Sequence, residues 1–140
     1  MNSLLVINSS AAREGSVSRT LVEETVARLL EASPFAQVVR RDLGEKPVPH
    51  LSTATLAGVR GIPATPEEKS ARALSDELIA ELRAADTIVI GAPMYNFGVT
   101  TGLRAWFAAS GIAGSPGPES LRYGSLLDAN EPWESVAVVL

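Results

Sequence analysis

The 140-residue chain has no cysteine and a single histidine, His50. The first absence excludes disulfides, cysteine nucleophiles and thiolate metal sites, and it fits a cytoplasmic protein. The second excludes a multi-histidine metal centre, and no metal is expected. No apolar run approaches the ~18 residues of a membrane span. The N-terminus, from Met1 to Asn8, has no basic segment and too short an apolar run for a signal peptide. No membrane partner is therefore expected. Charge of one sign is also scarce, with 12 basic and 16 acidic residues and a net charge of -4. That balance gives no general field for nucleic acid or anionic lipid. An anionic ligand would have to be held by local donors. What the chain does have is 46% hydrophobic and 20% charged residues, the composition of a globular protein, at a length that predicts one domain over residues 1–140.

Leu4-Leu5-Val6-Ile7 and Thr87-Ile88-Val89-Ile90 read as strands buried on both faces, because they are short, rich in branched side chains and do not alternate with polar residues. Gln37-Val38-Val39-Arg40 is a more polar strand that belongs nearer an edge, and Val136 to Leu140 is a fourth. Helical spacing fills the intervals. From Ser18 to Ala32, Leu21, Val22, Val26, Leu29 and Leu30 keep to one side, and Ser33-Pro34 ends the helix. Thr65-Pro66-Glu67-Glu68 predicts a capped start with Glu68 closing a capping box. Ala71, Leu74, Leu78, Ile79 and Leu82 form the stripe that follows. A third helix is expected from about Thr101 through Phe107. The alternation implies an α/β fold with right-handed crossovers. Leu43 to Ala64 and Ser110 to Pro132 read as long loops.

In such a sheet, ligands bind beyond the carboxyl ends of the strands, where strand order reverses. Two segments follow strand ends. Asn8 to Ser18 is rich in hydroxyls and opens a helix, which suits a phosphomonoester. Helix capping by Ser16 or Ser18 is the competing reading. Neither a dinucleotide glycine pattern nor a P-loop is present. Gly91 to Thr100 carries Tyr95, Asn96 and Phe97, two rings and an amide fit for a flat heteroaromatic ligand; a loop packed on its own aromatics is the alternative. Trp106 and Phe107 follow at helical spacing and are expected in the core.

Asn8-Ser9-Ser10, Ser16-Val17-Ser18 and Ala92-Pro93-Met94-Tyr95-Asn96-Phe97 resemble the FMN-dependent NADH:quinone oxidoreductases, also called azoreductases. The resemblance continues through Arg41-Asp42-Leu43 and Leu74-Ser75-Asp76-Glu77-Leu78, and runs from about Leu4 to Phe107. It implies a flavodoxin-like fold, an open parallel sheet with helices on both faces, and a cytoplasmic homodimer. It implies FMN as cofactor, NADH or NADPH as electron donor, and a quinone or azo compound as substrate in a ping-pong cycle. Residue by residue, it puts Ser10, Ser16, Val17 and Ser18 around the FMN phosphate. Met94, Tyr95, Asn96 and Phe97 then line the ribityl chain and the isoalloxazine. Val17 departs from the side-chain amide common there, although its N–H can still donate. No catalytic acid or base is implied, since the flavin carries the hydride.

Beyond Phe107 the resemblance weakens. Residues 108–120 read as divergent, Leu121-Arg122-Tyr123 echoes a family string, and Val136 to Leu140 echoes the fourth strand. The domain is therefore expected to be incomplete beyond strand four, with an apolar edge that pairs with other chains, weak FMN binding and little turnover. The alternative function is a non-catalytic remnant that binds FMN weakly or serves only as an interaction module. A phosphoester hydrolase, suggested by the serines alone, lacks a cysteine nucleophile, paired acids near the loop and a metal cluster. His50 is expected to be a loop or interface residue, with a substrate contact as the lesser reading.

Overall fold

The computed structural model describes residues 1–110 in full and the backbone of residues 135–139. The order is β1 (Ser3–Asn8), α1 (Val17–Ala32), β2 (Gln37–Asp42), α2 (Leu56–Arg60), α3 (Pro66–Ala84), β3 (Thr87–Gly91), α4 (Thr101–Ala109) and β4 (Ser135–Val139). The four strands form one sheet in the order β2-β1-β3-β4, and each neighbouring pair is parallel. β1 and β3 are the central pair, and β2 lies at an edge, as its polar sequence predicts.

The uninterrupted apolar runs of β1 and β3 have a direct cause. Successive side chains point to opposite faces, and both faces are covered. Leu5, Ile7, Ile88 and Ile90 meet Leu78 and Leu82 of α3 and Leu103 and Trp106 of α4. Leu4, Val6 and Val89 meet Val22 and Val26 of α1. The register pairs Leu5 with Ile88 and Ile7 with Ile90, so each layer receives aligned rows. Trp106 is fully buried and Phe107 packs edge-on to it, with ring centroids 5.2 Å apart. Trp106 is a core residue, as the helical spacing predicts, whereas Phe107 is half-buried and packs against that core from its rim.

β2 uses charge where the central strands use hydrocarbon. Arg40 pairs with Glu23 of α1 at 2.6 and 3.0 Å. Arg41, on the opposite face, reaches Glu81 at 2.8 and 2.6 Å and Glu77 at 2.5 Å, both on α3. Adjacent residues of one edge strand thus tie down both helical layers. The expected capping box is present at α3: Thr65 accepts from the Glu68 N–H at 3.2 Å, and Glu68 accepts from the Thr65 N–H at 3.0 Å.

Some details differ from the sequence pattern. Leu21 is 37% exposed, because the contact stripe of α1 narrows to Val22 and Val26, with Leu29 and Leu30 partly covered. On α3, Leu78 and Leu82 are buried while Ala71, Leu74 and Ile79 are half-buried. The polar Ser75 joins the buried face by donating to the Ala109 carbonyl at 2.6 Å. The long connection after β2 contains the short helix α2, which has no side-chain cap. It is held by the Arg72 guanidinium, which donates to the Gly58 carbonyl at 2.6 Å and to the Gly61 carbonyl. The expected loop from Ser110 to Pro132 lies, apart from Ser110, outside the described residues.

Leu78→Ala removes a fully buried side chain between α3 and the sheet, and is expected to cost about 2–5 kcal/mol. Phe35→Ala, at a side chain 98% exposed, should stay within about 0.5 kcal/mol. Urea unfolding of both variants checks this assignment of the core.

Candidate functional site

The strand order reverses between β1 and β3, so the connections leaving their carboxyl ends run in opposite directions and open a crevice. Ser9 closes the base of that crevice. Its N–H and its hydroxyl both reach the Gly91 carbonyl, at 3.1 and 2.7 Å, which pins the start of one loop to the end of the other strand.

The loop after β1 gathers the predicted serines at the N-terminus of α1. Gly15 turns the chain with φ +68°, and Ser16 caps the helix by accepting from the Arg19 N–H at 3.4 Å. The same hydroxyl donates to Ser10 Oγ at 2.9 Å and lies 3.2 Å from Ser18 Oγ. Capping and clustering thus occur together: the two readings of these serines are not exclusive. Val17 turns its side chain to solvent, and its N–H is one of the first-turn donors without an intrahelical acceptor. The helix dipole adds positive potential at this point.

The loop after β3 folds into a tight turn. The Tyr95 and Gly98 backbones exchange hydrogen bonds of 2.8 and 3.1 Å. Both central residues have positive φ, Asn96 at +48° and Phe97 at +59°, the requirement of a type I′ turn. Asparagine tolerates this region, whereas a bulky aromatic rarely adopts it. The Phe97 ring gains no packing in return, being 97% exposed. The rings of this loop are not packed upon one another: Met94, Tyr95 and Phe97 all face solvent. Tyr95 bends back to the serines, its hydroxyl 3.4 Å from Ser10 Oγ. The structure therefore brings Ser10, Ser16 and Ser18 into one hydroxyl cluster and links Tyr95 to it, while Met94, Asn96 and Phe97 stand free along the turn.

Arg19 and Asp42 were not among the predicted site residues. Arg19 Nη1 and Nη2 grip the two oxygens of Asp42 at 2.6 and 2.9 Å. Asp42 also accepts from the N–H groups of Gly44 and Glu45 at 2.9 and 3.1 Å. The Arg19 hydrogen bond holds the Asp42 carboxyl below its ordinary value, with the Glu45 N–H adding to it against partial burial. The available signal was topological: a parallel order β2-β1-β3 brings the end of β2 beside the loop after β1. His50 is exposed and lines an apolar groove of about 450 Å³ between the long connection and α3, with Glu67 and Leu74 also on its walls. Among the described residues, no helix is long and apolar enough to cross a membrane.

Asp42 has a lower value folded than unfolded, so its pairing stabilises the fold fully above the unfolded value of 3.8 and loses that effect as pH falls through the lower folded value. Asp42→Asn is expected to lower stability at neutral pH and flatten the acid limb of stability against pH; denaturant titrations from neutral to acid pH measure both. Phe97→Gly should stabilise the ligand-free protein by about 1 kcal/mol, because it relieves a left-handed aromatic without losing packing. An unchanged or lower melting temperature would count against strain at this turn.

Residues 2–115 match a family described by its flavodoxin-like fold. The FMN-dependent NADH:quinone oxidoreductase of Hyphomonas neptunium is 59% identical over 130 residues, covering 89% of this chain and 62% of that protein. The protein of the same name from Paraburkholderia phymatum is 46% identical over 133 residues, covering 89% of this chain and 67% of its own length. Among solved structures, an azoreductase from Bacillus anthracis superposes with a TM-score of 0.70 at 27% identity, covering 79% of this chain and 55% of that one. The chain thus spans roughly three-fifths of the length of such relatives. With residues 2–115 matched, a span that takes in both loops of the crevice, and relatives of up to 59% identity, the chain belongs to the flavodoxin-like family that includes the FMN-dependent NADH:quinone oxidoreductases.

Proposed function

We propose that the chain binds FMN across the crevice and serves NADH- or NADPH-driven reduction of a quinone or azo compound. The observation that carries this reading is a cluster of three serine hydroxyls at the α1 N-terminus, joined through Tyr95 to an exposed aromatic turn at the switch point of the sheet. The donor set fits a phosphomonoester. It consists of neutral hydroxyls, first-turn N–H groups and a helix dipole, and the carboxylate of Asp42 beside it is already engaged by Arg19 and two backbone donors. Ser10, Ser16, Ser18 and the Val17 N–H would hold the phosphate. Met94, Tyr95, Asn96 and Phe97 would line the ribityl chain and ring.

When bound, the flavin supplies the two-electron chemistry. The chain's own part is to bind and to orient. The serine cluster anchors one end of the cofactor. The Tyr95–Gly98 turn, fixed by its paired backbone bonds, offers a rigid edge against which a flat ring and an acceptor can be aligned. Asn96 brings the one side-chain amide of the turn. A homodimer in the cytoplasm is the assembly and location that this reading carries with it.

Replacing Ser16 and Ser18 together by alanine is expected to weaken FMN binding at least tenfold, since charge-assisted hydrogen bonds contribute about 1.5–3 kcal/mol each. Riboflavin, which lacks the phosphate, should be affected far less. Fluorescence titration with both flavins measures this difference. Equal FMN affinity in variant and parent would remove the phosphate assignment. Flavin binding without NADH-dependent quinone or azo reduction would favour the non-catalytic reading.

A further inference from the structure

Arg19 lies in the first turn of α1, one residue after Ser18, where a cation would serve as a direct phosphate ligand. The structure gives it another occupation. Its side chain is only 18% exposed and every one of its nitrogens is committed. Nη1 and Nη2 grip Asp42, Nη2 also donates to the Ser10 carbonyl at 2.8 Å, and Nε donates to the Ala12 carbonyl at 2.9 Å. One guanidinium therefore joins the first helix, the loop after β1 and the end of β2. Gly44 packs against the same contact: a Cβ there would come within 2.4 Å of the Ser10 carbonyl oxygen and 3.0 Å of Arg19 Nη2.

These contacts have a consequence for the opposite side of the loop. In a trans peptide the carbonyl and the following N–H point in opposite directions. Holding the Ser10 and Ala12 carbonyls toward the guanidinium turns the N–H groups of Ala11 and Arg13 away from it. Neither of these groups has an acceptor among the described residues. The Ser10 hydroxyl is tied to the same stretch, 3.3 Å from both the Ala12 N–H and the Ala12 carbonyl oxygen. We propose that Arg19 is a positioning residue that, anchored by Asp42, sets the peptide planes of residues 10–13 and so holds the Ser10 hydroxyl in the serine cluster that receives the phosphate of a bound ligand, without the guanidinium touching it. This inference rests on the phosphomonoester reading of the serine cluster. It assigns the chain a phosphate site built from neutral donors, with the Arg19 guanidinium spent on geometry and the exposed Arg13 of the same loop paired with Glu45 at 2.7 Å.

Arg19→Lys and Asp42→Asn in the full chain separate this role from its rivals. Lysine keeps the charge but not the planar fork. Arg19→Lys is expected to lose at least tenfold in FMN affinity and to leave riboflavin affinity within about twofold. In the flavin-free protein, NMR order parameters at residues 10–13 should fall from the rigid range near 0.85 toward 0.6, with those of β1 and β3 unchanged. Asp42→Asn frees the guanidinium from its anchor and should also weaken FMN binding. Stronger FMN binding by Asp42→Asn, or unchanged binding by Arg19→Lys, would make Arg19 a direct phosphate ligand or a bystander and overturn the proposal. So would FMN and riboflavin affinities falling together, the signature of general destabilisation. If the unsubstituted chain binds neither flavin, the flavin reading fails. The order parameters still decide the clamp: unchanged loop rigidity in Arg19→Lys would overturn it independently of any ligand.

Discussion

The rest of the structure depends on the burial of both faces of the central strand pair. The side chains of Leu4 to Ile7 and of Thr87 to Ile90 are buried throughout, so neither face of the sheet can be left to water. At about 25 cal/mol per Å² of apolar surface, exposing either face would forfeit the main driving force of the fold. Helices must therefore lie on both sides. α1 takes the face of Leu4, Val6 and Val89, and α3 and α4 take that of Leu5, Ile7, Ile88 and Ile90. Parallel strands joined by crossovers deliver all their following loops to one edge. The crevice between the loops after β1 and β3 is a consequence of that burial.

The edge strand solves a different problem with different residues. β2 has one neighbour and only partial cover, and hydrocarbon there would be exposed. Arg40 and Arg41 place their charges on Glu23 of α1 and on Glu77 and Glu81 of α3. Isolated exposed pairs contribute little to stability. Arg41 is better sheltered, only 15% exposed, and takes two partners on one helix. These pairs act mainly in fixing how the two layers sit against the strand. Asp42, the last residue of the same strand, does for the loop after β1 what Arg40 and Arg41 do for the helices.

The candidate site combines order and strain. Its serine cluster is knit by hydrogen bonds of 2.9 to 3.4 Å, while the neighbouring turn holds Phe97 in a backbone conformation that aromatic residues rarely adopt. An unfavourable, solvent-exposed aromatic persists where the surrounding structure over-determines it, and such positions cluster at ligand sites. The chain's small net charge is consistent with this arrangement. An anion held by hydroxyls and peptide donors at a helix terminus needs no broad basic surface, and the two arginines of this region are each paired, Arg19 with Asp42 and Arg13 with Glu45.

By itself, the sequence determined the alternation of strands and helices, because buried strands and amphipathic helices leave different periodicities. It also determined the Thr65 capping box and the core place of Trp106, since these depend on neighbours within a few positions along the chain. The two loops of the site were legible too, as a hydroxyl-rich stretch and an aromatic stretch following apolar strands. Partners distant in sequence were not. The pairing of Arg19 with Asp42, the close approach of Gly44 to Ser10 and the contact of Tyr95 with Ser10 join residues brought together only by the sheet order β2-β1-β3. The narrowed stripe on α1, the burial of Ser75 and the short α2 were likewise decided by what packs against them. Local periodicity records which face a residue prefers, whereas the partner it meets on that face is set by strand order and register, which only the tertiary structure fixes.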